Sequence, residues 1–442
     1  MHKTILEMIG KFRGDNLTAK SVRSMVVLTV GTFTERIIRL IRNMLLARLL
    51  APDDLGLMGL IFAVLLFVEC VTSVGIPQAV IHSKEGHNKE YLNIVWWFQS
   101  VRGFCLFAFG YFATPLICNF YAKPELQSLL KVSFVYILFN GFVSPRIATL
   151  EKEFQFVKSI FLRQGCDLIG NLVTIALAFY IQNAWVLVIG HICVSLTRLF
   201  LSYVFCPFKP TFHFNSKHLQ DIFKFSRGMF GLPILFIVST QADIFVLSKL
   251  MLSKEVGLYV MALALAQQPA TMFGSIVCKV LLPAFAKKQD NKQILCEVVL
   301  KITGIIYQIG IPIIILITVF AESILSLIYG KTYEAVAVPF SILCAAMLFR
   351  IQASVLAMVY ISIGKPHLQR SHAVPLAVLI VALLYPGVKV FGLEGAAGAL
   401  LVSYIISLFI QVAWMKKAIG LNIADYALSW MPKKYKHYLL NI

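Results

Sequence analysis

Residues 22–48 form an apolar stretch that nevertheless carries Glu35, Arg36, Arg39 and Arg42. At about 100° per residue, Glu35, Arg39 and Arg42 fall in a helical stripe about 60° wide. Glu35 precedes Arg39 by four residues, the favourable order for an ion pair along a helix. Guanidinium groups in such a stripe suit a phosphate or carboxylate, which they meet with paired N–H donors. Two chemistries fit. The stripe is a cationic cavity wall for an anionic substrate, or it is an ion-pair network that holds helices together.

Further charges lie deep in apolar segments: Glu69, Arg102, Asp243 and Arg350. A charge at the centre of a bilayer costs at least about 2.5–3.5 kcal/mol, so such groups face water or partners. Arg102 and Arg350 join Arg39, Arg42 and Glu35 as candidate cavity charges. Asp243 and Glu69 are candidates for gating or cation coupling. Asp243 corresponds to Arg42 at a shift of 201 residues. It is expected to meet Arg42 between two lobes, to bind a coupling cation, or to be bonded locally among Ser239, Thr240 and Gln241. Lys131, Arg163, Arg198, Lys279 and Lys301 lie nearer helix ends and are expected to snorkel to the interface, Arg163 with Asp167 as an i,i+4 partner.

The elements that must hold these charges are membrane helices. The 442 residues are 59% hydrophobic, with mean hydropathy +0.81, against roughly 45–50% apolar in soluble domains. Phe104–Phe120 and Ile302–Phe320 contain no charge, and about 18 such residues suffice for a crossing. The pattern predicts an all-α membrane protein of about twelve helices, near 22–48, 54–82, 91–119, 127–148, 159–182 and 184–206, then 222–248, 255–282, 297–321, 335–363, 368–388 and 393–416. Residues 1–20 are a basic N-terminus without the apolar core of a signal peptide. Residues 21–206 make a first lobe, 207–220 a linker, 221–417 a second lobe, and 418–442 an interfacial or disordered tail.

The net charge of +19 does not imply nucleic acid, because the basic residues cluster between apolar runs. With the N-terminus inside, 24 Lys and Arg fall in inside segments and 6 in outside turns. By the positive-inside rule both termini are expected in the cytoplasm. Nine cysteines are scattered without CxxC spacing and read as small core residues, so neither metal nor cofactor is expected.

The chain repeats itself. Leu45–Met58, with its Ala51-Pro52 break, returns as Val246–Tyr259, and Asn119–Lys123 returns as Leu327–Lys331. Two six-helix lobes of equal orientation would be a parallel pseudo-repeat, of the kind that rocks around a central cavity.

Several landmarks carry a family resemblance: Arg48–Gly56 (RLLAPDDLG), Ile94–Phe98 (IVWWF), Leu150–Phe156 (LEKEFQF), Pro210 and Phe214 with Phe223–Phe225, and Leu281–Phe285 followed by Gln289-Asp290. In order and spacing they resemble the Wzx-type polysaccharide exporters, nearest the colanic-acid exporter branch of the multidrug/oligosaccharidyl-lipid/polysaccharide exporter superfamily. The resemblance spans roughly residues 21–415. It implies a bacterial inner-membrane flippase for an undecaprenyl-pyrophosphate-linked oligosaccharide, with membrane lipids and other polysaccharide assembly proteins as partners. One departure is clear. The family often opens its eighth helix with Gly-Tyr-Tyr-Asn-Arg-Ala, whereas Gly257 here precedes Leu-Tyr-Val-Met-Ala.

Three rivals follow. A cation-coupled multidrug antiporter shares the architecture but favours a carboxylate-rich cavity. A flippase for peptidoglycan precursors carries additional helices. A membrane-bound polymerase or ligase needs a large outside loop with catalytic residues, and the sequence offers none.

Overall fold

The computed structural model describes residues 17–72, 80, 83, 85–153, 155–211, 232–287 and 291–429. Among these residues all regular structure is helical. Among the described residues nine helices are long and apolar enough to cross a membrane. The protein is therefore a multi-pass, all-α membrane protein. Phe109, Phe112, Leu116, Ile309, Leu316, Val319 and Val390 lie on its outer surface, where lipid is their natural solvent.

The chain divides into two compact units, residues 1–234 and 235–442. In the first, α1 spans Leu17–Leu49, α2 Pro52–Thr72 and α3 Lys89–Tyr121. Pro52 occupies the first position of α2, where its missing N–H costs nothing, and Asp53 and Asp54 follow in the first turn. Asp54 also accepts a hydrogen bond from the backbone N–H of Ala184, which ties this turn to the start of the helix Trp185–Phe205. Asn88 caps α3 through Glu90 N at 3.0 Å.

The single fourth helix expected near 127–148 is instead α4 (Leu126–Ser133) and α5 (Val135–Gly141), followed by a turn and the short α6 (Ile147–Lys152). Pro145 sits in that turn, since proline and the residue before it both resist helical continuation. The next crossing starts with α7 (Phe156–Ile160), widens into a π-turn at Phe161–Gly165, and continues as α8 (Cys166–Ala178). The wide turn adds a residue to the helical repeat. There Gln164 Nε2 donates to Thr32 Oγ1 of α1 at 3.1 Å. Trp185–Phe205 is α9.

Helices α8 and α9 touch through glycines. A Cβ on Gly190 would lie 1.8 Å from Thr174 Oγ1, and one on Gly170 would lie 2.1 Å from a methyl of Val194. Small residues permit this close approach of membrane helices.

In the second unit, α10 spans Leu232–Leu250 and α11 Ser253–Ala286. As between α1 and α2, two residues link the helices. The turn is closed by Leu252 N donating to Glu255 Oε2 at 3.0 Å, half of a capping box. The expected ninth helix is α12 (Lys292–Val319), with α13 (Ala321–Tyr329) following as a separate short helix. Ala122 and Gly330, matched in the sequence repeat, both have positive φ, 54° and 110°. The central helix α14 (Ala337–Ser362) packs against α11, α12 and α15 (Arg370–Ile419). The last described helix, α16 (Ile423–Ala427), buries Tyr426 in that core. Trp430 and Tyr435, expected at the interface, lie outside the described residues.

Helix α15 is two arms joined at Gly392, whose φ of 57° and ψ of −130° are not helical. Side chains resist that conformation. Gly392→Ala should therefore destabilise the second unit by about 1–3 kcal/mol, read as a lowered midpoint of thermal unfolding in detergent. An unchanged midpoint would mean that the bend tolerates a Cβ.

Candidate functional site: the charged interior of the first unit

The first unit gathers its charges through α1, α2, α3, α8 and α9. On α1, Glu35 and Arg39 form the ion pair expected from their spacing, with Arg39 half-exposed and Glu35 mostly covered. Arg36 shares the helix but falls outside this pair. Arg42 leaves the stripe for α8. Its Nη1 donates to Asn171 Oδ1 at 2.7 Å, and its Nη2 and Nε donate to Asn43 Oδ1 at 2.9 and 3.2 Å. Both acceptors are neutral amides. Among the described residues no carboxylate bonds Arg42 directly, although those of Asp167 and Glu35 act on its charge from further off.

One turn before Asn171, Asp167 accepts from Arg198 Nη2 of α9 at 3.1 Å. Sequence spacing offered Arg163 to Asp167, and placed Arg198 among the snorkelling cations. The structure gives the carboxylate a partner from another helix, a pairing that linear spacing does not encode. Asp167, Arg198, Arg163, Asn140, Gln99 and Ser144 line a cavity of about 420 Å³.

Glu69 and Arg102 also come together. Arg102 donates from Nε to Thr72 Oγ1 at 3.1 Å and from Nη2 to the backbone oxygen of Glu69 at 3.2 Å. Asn140 Nδ2 approaches Glu69 Oε1 at 3.4 Å. Arg102 is thus fastened to the last described turn of α2. Beside them His191 of α9 stacks on Tyr136 of α5, with centroids 3.8 Å apart, and meets the edge of Phe62 of α2. Tyr136, Asn140, Asn171 and His191 carry no sequence signal as a set. Tyr136 and Asn140 share α5 one turn apart, but Asn171 and His191 stand on α8 and α9, and only packing brings the three helices' residues to one place.

The second unit has its own buried group. Asp243 is 3% exposed. Its Oδ1 accepts from the backbone of Ile244 at 2.9 Å and its Oδ2 from Tyr259 Oη at 3.0 Å. The expected local donors go elsewhere: Ser239 and Thr240 donate to the backbone of Leu235 and Phe236. Tyr259 stands in the run where the resembled family often has Tyr-Asn-Arg. Arg350 on α14 rests against Met347 Sδ at 3.9 Å, and its charge acts on Asp243 and Tyr404. Tyr404 Oη reaches the backbone oxygen of Ser239 at 3.4 Å. Arg42 and Asp243 each find partners inside their own unit. Among the described residues no three His, Cys, Asp or Glu side chains are grouped to hold a metal.

Known proteins share this chain's sequence and fold. It is 22% identical to the lipopolysaccharide biosynthesis protein WzxC of Escherichia coli (strain K12) over 398 residues, covering 89% of this chain and 80% of that one. It is 20% identical to the teichuronic acid biosynthesis protein TuaB of Bacillus subtilis (strain 168), covering 91% and 84%. Among solved structures, the lipid II flippase MurJ in an inward closed conformation superposes with TM-score 0.75 at 19% identity, covering 94% and 92%. An inward-facing multidrug resistance MATE transporter does so with TM-score 0.65 at 16% identity, covering 90% and 98%. The fold is that of these transporters. The model of the polysaccharide biosynthesis protein family matches residues 45–339, two thirds of the sequence and most of the helices that carry the charged interior, so the chain belongs to that family.

Proposed function

We propose that this protein is a flippase of the bacterial inner membrane, with both termini in the cytoplasm. It moves an undecaprenyl-pyrophosphate-linked oligosaccharide to the periplasmic leaflet by alternating access of two six-helix lobes. The observation that carries this reading is Arg42, a cation anchored within the membrane interior by the neutral oxygens of Asn171 and Asn43. Such a group is preorganised for an anion, because no resident carboxylate must first be displaced. The pyrophosphate is the anionic handle, Arg39 and Arg102 add to its field, and the Glu35 carboxylate balances charge when the cavity is empty. Arg350 is a further cavity charge for the substrate, and Asp243 and Glu69 are assigned to gating or cation coupling during the cycle. Export of an anion from a negative interior gains about 2.3 kcal/mol per charge per 100 mV. No bond is made or broken in the cycle, so the protein is not an enzyme.

The test is leaflet-resolved quantification of polyprenyl-pyrophosphate oligosaccharide in host membranes with and without the gene. Removal should build up glycolipid on the cytoplasmic face, and re-expression should clear it. Unchanged glycolipid together with raised drug sensitivity would favour the antiporter reading.

A further inference from the structure

A second cationic cavity in the first unit has a lining distinct from that of the cavity around Asp167 and Arg198. It has a volume of about 390 Å³ and is lined by His87, Lys89, Arg146 and Lys209 over Leu92 and Phe208. These residues come from the turn before α3, the start of α3, the turn before α6, and the segment after α9. His87 is turned to Glu153 at 3.4 Å, and Arg146 spends one N–H on the backbone oxygen of Pro207 at 3.0 Å. Lys89 and Lys209 have no carboxylate partner among the described residues.

The wall that carries Lys209 is fixed. Ser144 Oγ donates to the backbone oxygen of Cys206 at 2.8 Å. Asn93 of α3 exchanges both its amide groups with the backbone of Thr211, at 2.6 and 2.7 Å. Trp97 Nε1 donates to the same oxygen at 3.0 Å. Segment 206–211 is thereby pinned at both ends, at Cys206 by Ser144 and at Thr211 by Asn93 and Trp97 of α3, which holds Lys209 in place before any ligand arrives. An unliganded cluster of like charges is unfavourable, so rigid scaffolding of this kind favours an anion that neutralises it.

The level of the cavity in the membrane is marked by aromatic groups. Trp96, Trp97 and Tyr203 sit beside it, with Trp96 Nε1 bonded to Tyr203 Oη at 2.8 Å. Trp and Tyr concentrate at the headgroup region. The buried side chains of Leu92 and Phe208 give the cavity an apolar floor. Cations above an apolar floor at headgroup depth match an amphiphile with a phosphorylated head.

We infer that the cavity formed by Lys89, Arg146 and Lys209 is a binding site for a phosphorylated lipid headgroup, separate from the Arg42 interior. A polyprenyl diphosphate and an anionic phospholipid share the required chemistry. The inference concerns binding alone, so it stands or falls independently of translocation.

The experiment places the full chain in phosphatidylcholine nanodiscs doped with either undecaprenyl diphosphate or phosphatidylglycerol, and counts retained lipid by native mass spectrometry across a titration. The double variant Lys89→Gln/Lys209→Gln should bind at least one of the two lipids about 30-fold more weakly, from about a fivefold loss for each cation near the headgroups. Lys89→Arg/Lys209→Arg should retain binding, because the charge is kept. The lipid whose binding depends on the two lysines is the occupant. Wild-type binding of both lipids by the Gln variant would overturn the proposal. So would equal loss in the Gln and Arg variants, since the site would then not be reading charge.

Discussion

Arg42→Ala should lower the rate of glycolipid translocation by about 10- to 100-fold while the protein still reaches the membrane. The expected size follows from losing charge-assisted hydrogen bonds to a bound phosphate, worth about 1.5–3 kcal/mol. Asn171 and Asn43 are neutral and can keep part of their bonding with water after the guanidinium is gone, so no buried carboxylate is left unpaired. This differs from the part-buried Asp167–Arg198 pair, where removing the cation leaves a carboxylate without its partner. Arg42→Lys keeps the charge but loses the fork that spans Asn171 and Asn43, and should fall between wild type and Ala. Arg39→Ala should do less than Arg42→Ala, because Arg39 is half-exposed and already shares its charge with Glu35. The measurement is cytoplasmic-face build-up of glycolipid for each variant, beside its thermal unfolding midpoint. Full activity of Arg42→Ala would remove Arg42 from substrate handling. A midpoint that falls in step with activity would make it a structural strut.

The contrast between Arg42 and Arg198 shows what a linear reading can and cannot deliver. The class of protein follows from composition, because nothing but lipid can solvate so many apolar residues outside a core. The Glu35–Arg39 pair follows from helical spacing, and the two-residue turns at 50–51 and 251–252 follow from proline, acidic residues and the internal match. Contacts within one helix or one turn have a fixed period, so they can be computed from residue numbers. The partners of Arg42, Arg198 and Asp243 are Asn171, Asp167 and Tyr259. Each lies on another helix, at a separation set by packing angles that no single-chain period encodes. The same limit explains the π-turn at Phe161–Gly165. The helix end before Pro145 is marked in the sequence, whereas the π-turn over FLRQG has no period of its own to announce it. The headgroup cavity was equally hidden, since Lys89, Arg146 and Lys209 appear in the chain as three ordinary loop-end cations.

Gly190→Leu should abolish both the folded first unit and transport. The Cβ alone would lie 1.8 Å from Thr174 Oγ1 and 3.0 Å from Thr174 Cβ, so α8 and α9 would have to separate before any larger atom is placed. That interface is also the scaffold of the site. Helix α8 supplies Asp167 and Asn171, and α9 supplies His191 and Arg198. Separation would stretch the 3.1 Å Asp167–Arg198 contact and draw Asn171 away from Arg42, leaving buried charge poorly bonded. Overpacking of a tight contact ordinarily costs about 1–3 kcal/mol, and the strained Asp167–Arg198 pair, a quarter to a third exposed, adds to that loss in a domain whose whole stability is about 5–15 kcal/mol. Gly190→Ala should lie between, because α9 can shift by a fraction of the distance that Leu demands. Monodispersity in detergent and the thermal midpoint check the series. If Gly190→Leu remained monodisperse with a wild-type midpoint, the α8–α9 contact would be looser than the glycines indicate, and the positions of Asp167 and Asn171 would need another support. A graded loss from Gly through Ala to Leu, with transport falling before the midpoint does, would instead show that the site depends on the helix spacing more sharply than the fold does.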